Sequence, residues 1–260
     1  MSDIPRPKLP DLSLENVINF SSSTYWGCSD PQRFGELMKE AISLVGPAYF
    51  LGDNLFTWGR NNSAFEDTPF RTAWQENIKN NADETIVWRR YILSVAAYHC
   101  INLPGDFAEF GVFLGSGIKT VMDYLGGINF PKVFWGYDTF DYNPVPGHDF
   151  VEHNGLFNNV TECFREYPQV KLIKGLLPDS FLQGAPESLA YMHIDLNNFE
   201  AEISVLNTMF EKVVSGGIII LDDYEWSDYR LQKKEEDQWF DKRNYRVFPL
   251  PTGQGLVIKR

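Results

Sequence analysis

The 260-residue chain is 43% hydrophobic and 15% aromatic, which is enough apolar material for one large α/β core and an appendage. The chain has a net charge of −12 and no basic stripe that would release counterions from phosphates, so we do not expect nucleic acid as a partner. No apolar run approaches the roughly 20 residues that cross a bilayer, and no secretory signal is visible, so the sequence predicts a cytoplasmic protein with no membrane partner.

The first 82 residues are predicted to form an N-terminal extension. Residues 1 to about 29 are rich in proline and serine, which indicates an irregular tail or an arm on a partner subunit, and a homo-oligomer is the expected assembly. Asp30-Pro31 offers an N-cap and a first-turn proline for a helix that ends at Gly46-Pro47. The aromatic region from 49 to 81 is predicted either to be a lid over the site or to dock the extension onto the core, through Phe56, Trp58 and Phe65.

The second part of the chain, residues 83–260, is predicted to be the catalytic domain. An amphipathic helix from about Asp83 to Asn102 leads into its first strand. The three cysteines are odd in number and have no metal-binding spacing, which favours reduced thiols over a disulfide framework; they are Cys28, Cys100 and Cys163.

A glycine-rich turn after a short buried strand organises this domain. The strand is indicated by an apolar run of Phe107, Ala108, Phe110 and Val112. Gly111, Gly115 and Gly117 follow where the backbone turns and opens a helix from Ser116 to about Leu125. Dinucleotide-binding turns place their glycines at i, i+2 and i+5, whereas these fall at i, i+4 and i+6, which argues against NAD or FAD.

An acidic residue lies two places before the first glycine. The pattern Glu109-x-Gly111-x-x-x-Gly115-x-Gly117 resembles motif I of class I S-adenosylmethionine (SAM) methyltransferases. A strand-helix turn with no ligand would look much the same, and that alternative stays open on this motif alone. A second predicted strand ends at Asp138, where a doubly wound sheet places an acid that accepts ribose hydroxyls. The competing interpretation is a turn or helix-cap aspartate.

The rest of the chain alternates strands and helices. A long loop after Asp138 carries His148 and His153, either of which could contact an acceptor. Strands are predicted at 170–174, 189–195 and 215–223, with helices at 157–167, 176–182, 199–214 and 224–242, and a hairpin at 245–260. This order predicts a Rossmann-like class I methyltransferase sheet of the α/β class, mostly parallel with one antiparallel strand in the C-terminal hairpin.

Three acids end two of these strands. Asp195 ends one, and Asp222 and Asp223 end the next, so the three should converge at the carboxyl edge of the sheet. An all-oxygen set suits a hard ion such as Mg²⁺, with substrate hydroxyls or water in its other positions. Helix capping by Asp222 or Asp223, with Asp195 bonded to a loop, is the alternative.

The ordered motifs together resemble the TylF-like family of macrocin and mycinamicin sugar O-methyltransferases. They are Glu109-x-Gly111, Tyr137-Asp-Thr-Phe140, Lys174-Gly175, Ile194-Asp195 and Ile220-Leu-Asp-Asp-Tyr224. The resemblance implies a SAM- and Mg²⁺-dependent O-methyltransferase acting on a deoxysugar hydroxyl, with Asp195, Asp222 and Asp223 as metal ligands and Asp195 as general base. The candidate cofactor-binding residues are Glu109, Gly111, Gly115, Ser116, Asp138, Thr139, Gly175 and Asp195.

The sequence departs from that family after Asp195. Leu196-Asn197-Asn198-Phe199 stands where the family often has Gly-Asp-Leu-Tyr, and His193 stands where an arginine is common, which puts the identity of the acceptor in doubt. The expected partner is a small molecule with hydroxyl groups. A metal-independent small-molecule methyltransferase and a non-catalytic SAM-binding subunit are the alternatives.

Overall fold

The computed structural model describes residues 17–141 and 155–260, and the predicted loop histidines His148 and His153 lie outside these ranges. The strands are β1 (Phe20–Ser21), β2 (Tyr49–Gly52), β3 (Leu55–Trp58), β4 (Asp106–Phe110), β5 (Phe134–Asp138), β6 (Val170–Lys174), β7 (Leu189–Ile194), β8 (Val213–Leu221), β9 (Phe248–Pro249) and β10 (Gly255–Ile258). The α-helices are α1 (Pro31–Ser43), α2 (Ser63–Glu66), α3 (Thr68–Asn77), α4 (Asn81–Thr85), α5 (Val87–Cys100), α6 (Ser116–Tyr124), α7 (Leu156–Cys163), α8 (Phe199–Met209) and α9 (Arg230–Asp241).

A seven-stranded sheet with the order β6-β5-β4-β7-β8-β10-β9 forms the main part of the molecule. The strands from β6 to β8 are parallel, while β10 pairs antiparallel with both β8 and β9. The predicted mostly parallel sheet with one antiparallel strand in the C-terminal hairpin is therefore confirmed. Because parallel strands share one carboxyl edge, the residues that follow β4, β5, β7 and β8 meet on one side of the sheet.

Helices cover both faces of this sheet. On one face, α5 and α6 pack through Leu93 and Met122 against Phe107 of β4. On the other face, α8 and α9 pack through Leu206 and Phe240 in a core that includes Phe110. The central strands are buried on both faces, which explains why their sequences read as continuous apolar runs.

The N-terminal region has a small sheet of its own, in which β1 pairs parallel with β2 and β2 pairs antiparallel with β3. Phe65 is buried in the same hydrophobic cluster as Phe107 of the main sheet, which agrees with the docking interpretation of this residue. Trp58, in contrast, is 56% exposed. The boundary at residue 82 stays a prediction.

The predicted single helix from 83 to 102 is two helices, α4 and α5. Asn80 caps α4 by accepting a hydrogen bond from the Asp83 amide, and α4 ends at Thr85, before Ile86, whose φ and ψ of −87° and 23° leave the helical region. Among the described residues, Cys28, Cys100 and Cys163 are all free, as predicted. Within the described ranges, no helix is both long enough and apolar enough to cross a membrane.

Two glutamates face each other between α8 and α9. Glu202 and Glu236 are both buried, and Glu202 Oε1 accepts a hydrogen bond of 3.1 Å from the Leu196 amide. Burial raises the pKa of Glu236 to about 7 and raises the pKa of Glu202 well above its ordinary value. The folded chain therefore holds a proton that the unfolded chain releases above about pH 4.3.

We expect Glu236→Gln to gain stability relative to the wild type as the pH rises. The stability that the protonated Glu236 contributes is present at low pH and is lost between about pH 4.3 and 7, at up to about 1.4 kcal/mol per pH unit. Urea unfolding of both proteins at pH 5 and 8 measures the difference. Glu235→Gln, on the adjacent and less buried residue, is the matched control; equal pH slopes for the two variants would contradict the prediction.

Candidate functional site

A cavity of about 700 Å³ opens at the carboxyl edge of the sheet. Five of the residues predicted to bind the cofactor line it, and they are Gly111, Asp138, Thr139, Gly175 and Asp195. They follow β4, β5, β6 and β7, so the parallel register of four strands brings them together. The volume is in the range of sites for small-molecule ligands and cofactors.

The glycine turn after β4 lies against the end of β7. Gly111 has φ +97°, and a Cβ at this position would fall 1.8 Å from the backbone carbonyl oxygen of Asp195. Gly115, with φ +79°, is the N-cap of α6, and a Cβ there would lie 2.9 Å from the ring of Phe164. Gly111 is thus needed where the backbones of β4 and β7 approach each other, and Gly115 where the turn packs on a side chain.

Asp138 orders this turn. Its Oδ2 accepts hydrogen bonds of 2.8 Å from the amides of Val112 and Phe113, and its Oδ1 accepts one of 2.7 Å from the amide of Phe140. The carboxylate is half-buried at the wall of the cavity, in the place predicted for a ribose ligand. Its ribose role stays a prediction, and its contacts show an additional role in shaping the turn.

Three of the predicted cofactor residues do not line the cavity. Ser116 is buried, and its hydroxyl donates a 2.7 Å hydrogen bond to Asp83. Gly115 packs as described above. Glu109 lies behind the turn, where its carboxylate contacts the imidazole of His193. The structure therefore gives these three residues contacts that support the cavity wall.

The predicted acid cluster is present at the ends of β7 and β8. These strands are neighbours, and the Asp222 amide donates a hydrogen bond of 2.9 Å to the carbonyl of Ile194. Burial, followed by the charges of Asp222 and Asp223, raises the pKa of Asp195 well above its ordinary value. Burial and the charge of Asp222 raise the pKa of Asp223 to about 6. The three carboxyl groups are thus close enough to affect one another.

Sequence reasoning missed Arg89, which binds two of these acids. Its Nη1 donates to Asp222 Oδ2 at 2.7 Å and to Asp223 Oδ1 at 3.1 Å, while Nε and Nη2 form a bidentate pair with Asp53 at 2.6 and 3.0 Å. Burial opposes its charge, but Asp222, Asp53 and Asp223 raise the pKa of Arg89 well above its ordinary value. The signal in the sequence was an arginine four residues before Leu93 on the buried stripe of α5.

His193 joins Glu109 to Asp222. Its Nδ1 lies 3.0 Å from Glu109 Oε2, its Nε2 lies 3.3 Å from Asp222 Oδ1, and the ring is fully buried. Burial opposes the imidazolium, but hydrogen bonds with Asp222 and Glu109 raise the pKa of His193 to about 10. Burial would raise the pKa of Asp222, but the interactions with Arg89 and His193 are stronger and hold this pKa well below its usual range.

The donor set fits a hard divalent cation. His193, Asp195 and Asp222 offer ligand atoms within 4.8 Å of one another. Both ring nitrogens of His193 already contact carboxylates, Nδ1 that of Glu109 and Nε2 that of Asp222. The carboxylates of Asp195, Asp222 and Asp223 are therefore the candidates retained here, since a hard cation prefers oxygen ligands. In and around the cluster, the acidic side chains Asp53, Asp83, Glu109, Asp195, Asp222 and Asp223 outnumber the basic side chains Arg89, Arg90 and His193. A cation would offset that excess of negative charge.

The chain matches a protein-family model described as Macrocin-O-methyltransferase (TylF) over residues 90–238. A relative from Streptomyces olivaceus, named 8-demethyl-8-(2,3-dimethoxy-alpha-L-rhamnosyl)-tetracenomycin-C 4'-O-methyltransferase, is 29% identical over 144 residues, which are 47% of this chain and 54% of that protein. The demethyldecarbamoylnovobiocin O-methyltransferase of Streptomyces niveus is 26% identical over 141 residues, again 47% of this chain and 54% of that protein. The chain thus spans about half the length of these curated relatives.

Two solved structures show the same fold. The O-methyltransferase NovP superposes with a TM-score of 0.54 at 21% identity, over 66% of this chain and 80% of that chain. CalS11, titled a TDP-rhamnose 3'-O-methyltransferase, superposes with a TM-score of 0.52 at 15% identity, over 76% of this chain and 96% of that chain. The fold is therefore the Rossmann-like fold of class I SAM methyltransferases.

Proposed function

Because the chain belongs to the TylF family of macrocin O-methyltransferases, we propose that it is a SAM-dependent O-methyltransferase that acts on a sugar hydroxyl of a natural product. The observation that carries the proposal is the cavity in which Gly111, Asp138 and Asp195 converge at the carboxyl edge of the sheet. Both curated relatives have names of natural-product O-methyltransferases, and one name includes a rhamnosyl group, which supports a sugar acceptor.

The cavity lining supports the cofactor assignment. Asp138 lies where it can accept ribose hydroxyls, with Thr139 beside it and Gly175 on the next strand. The bound cofactor supplies an electrophilic methyl group. The residues at this edge then have to hold an acceptor oxygen in line with that methyl group, and such positioning can provide much of the rate enhancement.

Asp195 is the proposed general base. It lines the cavity at the end of β7, next to β8, which Asp222 and Asp223 follow, so it lies between the cofactor side and these two acids. A carboxylate there can accept the proton of a sugar hydroxyl. Arg89 contributes by holding the carboxylates of Asp222 and Asp223 in fixed positions.

We also propose that the reaction depends on Mg²⁺. Asp195, Asp222 and Asp223 would hold the ion, and a divalent cation supplies electrostatic stabilisation of the oxyanion that forms when a hydroxyl loses its proton. The excess of carboxylates over cations in and around the cluster supports this assignment.

Calorimetric titration of metal-stripped protein with S-adenosylhomocysteine tests the cofactor assignment, with and without Mg²⁺ and with NAD⁺ as control. We expect micromolar binding of S-adenosylhomocysteine and none of NAD⁺. Absence of S-adenosylhomocysteine binding would contradict the proposal. Methyl transfer that EDTA does not affect would favour the metal-independent alternative, and binding with no turnover on any acceptor would favour a non-catalytic subunit.

A further inference from the structure

A second cavity, of about 660 Å³, lies between the N-terminal sheet, α5 and the C-terminal hairpin. Phe56 and Trp58 of β3 form one wall, Trp88 and Ile92 of α5 form another, and the hairpin turn at 250–252 closes it. None of these residues lines the first cavity. Its size is that of a ligand site rather than a packing defect.

The lining has a definite chemical character. The rings of Phe56 and Trp58 lie 5.5 Å apart at a tilt of 31°, and they project from the same face of β3, with Trp58 largely exposed. Among the described residues that line the cavity, Arg60 is the one charged side chain, and there is no carboxylate. This lining suits a flat apolar ring system that is neutral or carries one negative charge.

The second cavity lies beside the acid cluster, on the side away from the proposed cofactor. Thr252 donates a 3.0 Å hydrogen bond to Gln254 Oε1, and Gln254 Nε2 donates one of 2.8 Å to Asp222 Oδ1. Trp88 immediately precedes Arg89, which binds Asp222 directly. Two hydrogen bonds therefore connect a residue of the cavity wall to the acid cluster.

The strand order gives the same placement. Along the carboxyl edge, Asp138 ends β5, Asp195 follows β7, and Asp222 follows β8, with β10 and its turn beyond. The proposed cofactor lies at the β5 and β4 end of this series. From Asp195, an acceptor that extends along this edge past Asp222 reaches β10 and the second cavity.

We propose that the second cavity is a binding subsite for the apolar, ring-bearing part of the acceptor, remote from the hydroxyl that is methylated. The inference rests on the proposed function, and it adds a specificity site on the far side of the acid cluster. A nucleotide is the less suitable occupant, because one arginine does not balance a diphosphate and the chain has a net charge of −12.

The test uses 8-anilinonaphthalene-1-sulfonate, an aromatic monoanion, in a fluorescence titration of the whole chain. We expect Trp58→Ala to weaken its binding by about fivefold or more, since a ring contact of this kind is worth about 1 kcal/mol or more. Arg60→Ala should weaken it less. Phe248→Ala is the matched control. Phe248 is an exposed aromatic residue of the C-terminal hairpin, whose turn closes the cavity, but Phe248 itself does not line the cavity. Both aromatic variants should keep the wild-type melting temperature.

Competition identifies the occupant. We expect 4-nitrophenyl α-L-rhamnopyranoside to displace the dye and methyl α-L-rhamnopyranoside to fail. Displacement by thymidine diphosphate but not by the aryl glycoside would assign the cavity to a nucleotide and overturn the proposal. Equal loss of dye binding in Trp58→Ala and Phe248→Ala would also overturn it. Sedimentation that shows Trp58→Ala dissociating a dimer would assign this face to a second copy of the chain, with the same consequence.

S-adenosylhomocysteine separates this inference from the proposed function. Saturating S-adenosylhomocysteine should leave dye binding unchanged, because the two sites are distinct, and displacement of the dye would overturn the subsite. Binding of S-adenosylhomocysteine without a Trp58-dependent dye site overturns the subsite alone. A Trp58-dependent dye site without S-adenosylhomocysteine binding overturns the methyltransferase proposal and leaves the ring-binding cavity standing.

Discussion

Asp195→Asn should lower the rate of methyl transfer by about 100-fold to 10,000-fold, the range that loss of a general base produces. The amide has nearly the shape of the carboxylate but cannot accept the proton of a hydroxyl, so most of the affinity for S-adenosylhomocysteine should remain. Removing one acid from a cluster in which carboxylates outnumber cations also relieves repulsion, and the melting temperature should not fall. The measurement is the rate of S-adenosylhomocysteine formation at saturating Mg²⁺.

Glu187→Gln is the matched control for this variant. Glu187 is an exposed acid two residues before β7, at the opposite end of the strand that leads to Asp195. It should retain the wild-type rate. If Asp195→Asn also retains the wild-type rate at saturating Mg²⁺, Asp195 is not the base, and the proposed mechanism is wrong.

Gly111→Ala should destabilise the fold by about 4 kcal/mol or more, a loss typical of severe backbone strain. The new methyl group would meet the carbonyl oxygen of Asp195 at 1.8 Å, and the carbonyl carbon at 2.7 Å, at a backbone φ of +97°. Neither backbone can move easily, because the Asp195 amide donates a 2.7 Å hydrogen bond to the carbonyl of Phe110. Thermal unfolding should show a fall of about 10 °C.

Gly155→Ala is the control that separates the cost of the steric clash in Gly111→Ala from the cost of a positive φ. Gly155 has nearly the same φ, +95°, but a Cβ there would meet no atom of the described residues within 4 Å. This variant should lose only about 1 kcal/mol, the cost of a left-handed conformation for a residue with a Cβ. Similar losses for the two variants would show that close approach of β4 and β7 does not explain the glycine at 111.

Much of the candidate site could be predicted because it depends on local order along the chain. Asp138, Asp195 and Asp222 each end or directly follow an apolar strand, and parallel strands bring such positions to one edge whatever the details of packing. The prediction that Glu109 and Ser116 bind the cofactor had no such support. Their side chains bond to His193 and Asp83, which are distant in sequence, and no local pattern specifies which way a buried polar group turns.

The sequence by itself determined the alternation of strands and helices, the glycine turn and the acids at the strand ends, because hydrophobic periodicity and glycine placement act over a few residues. Only the tertiary structure decided that Arg89 joins Asp53 to Asp222 and Asp223, and that an aromatic cavity lies next to these acids. The Arg89 contacts span 36 to 134 residues of chain. Charge pairing at that separation follows from how α5 and the N-terminal sheet pack on the main sheet, which no local pattern encodes.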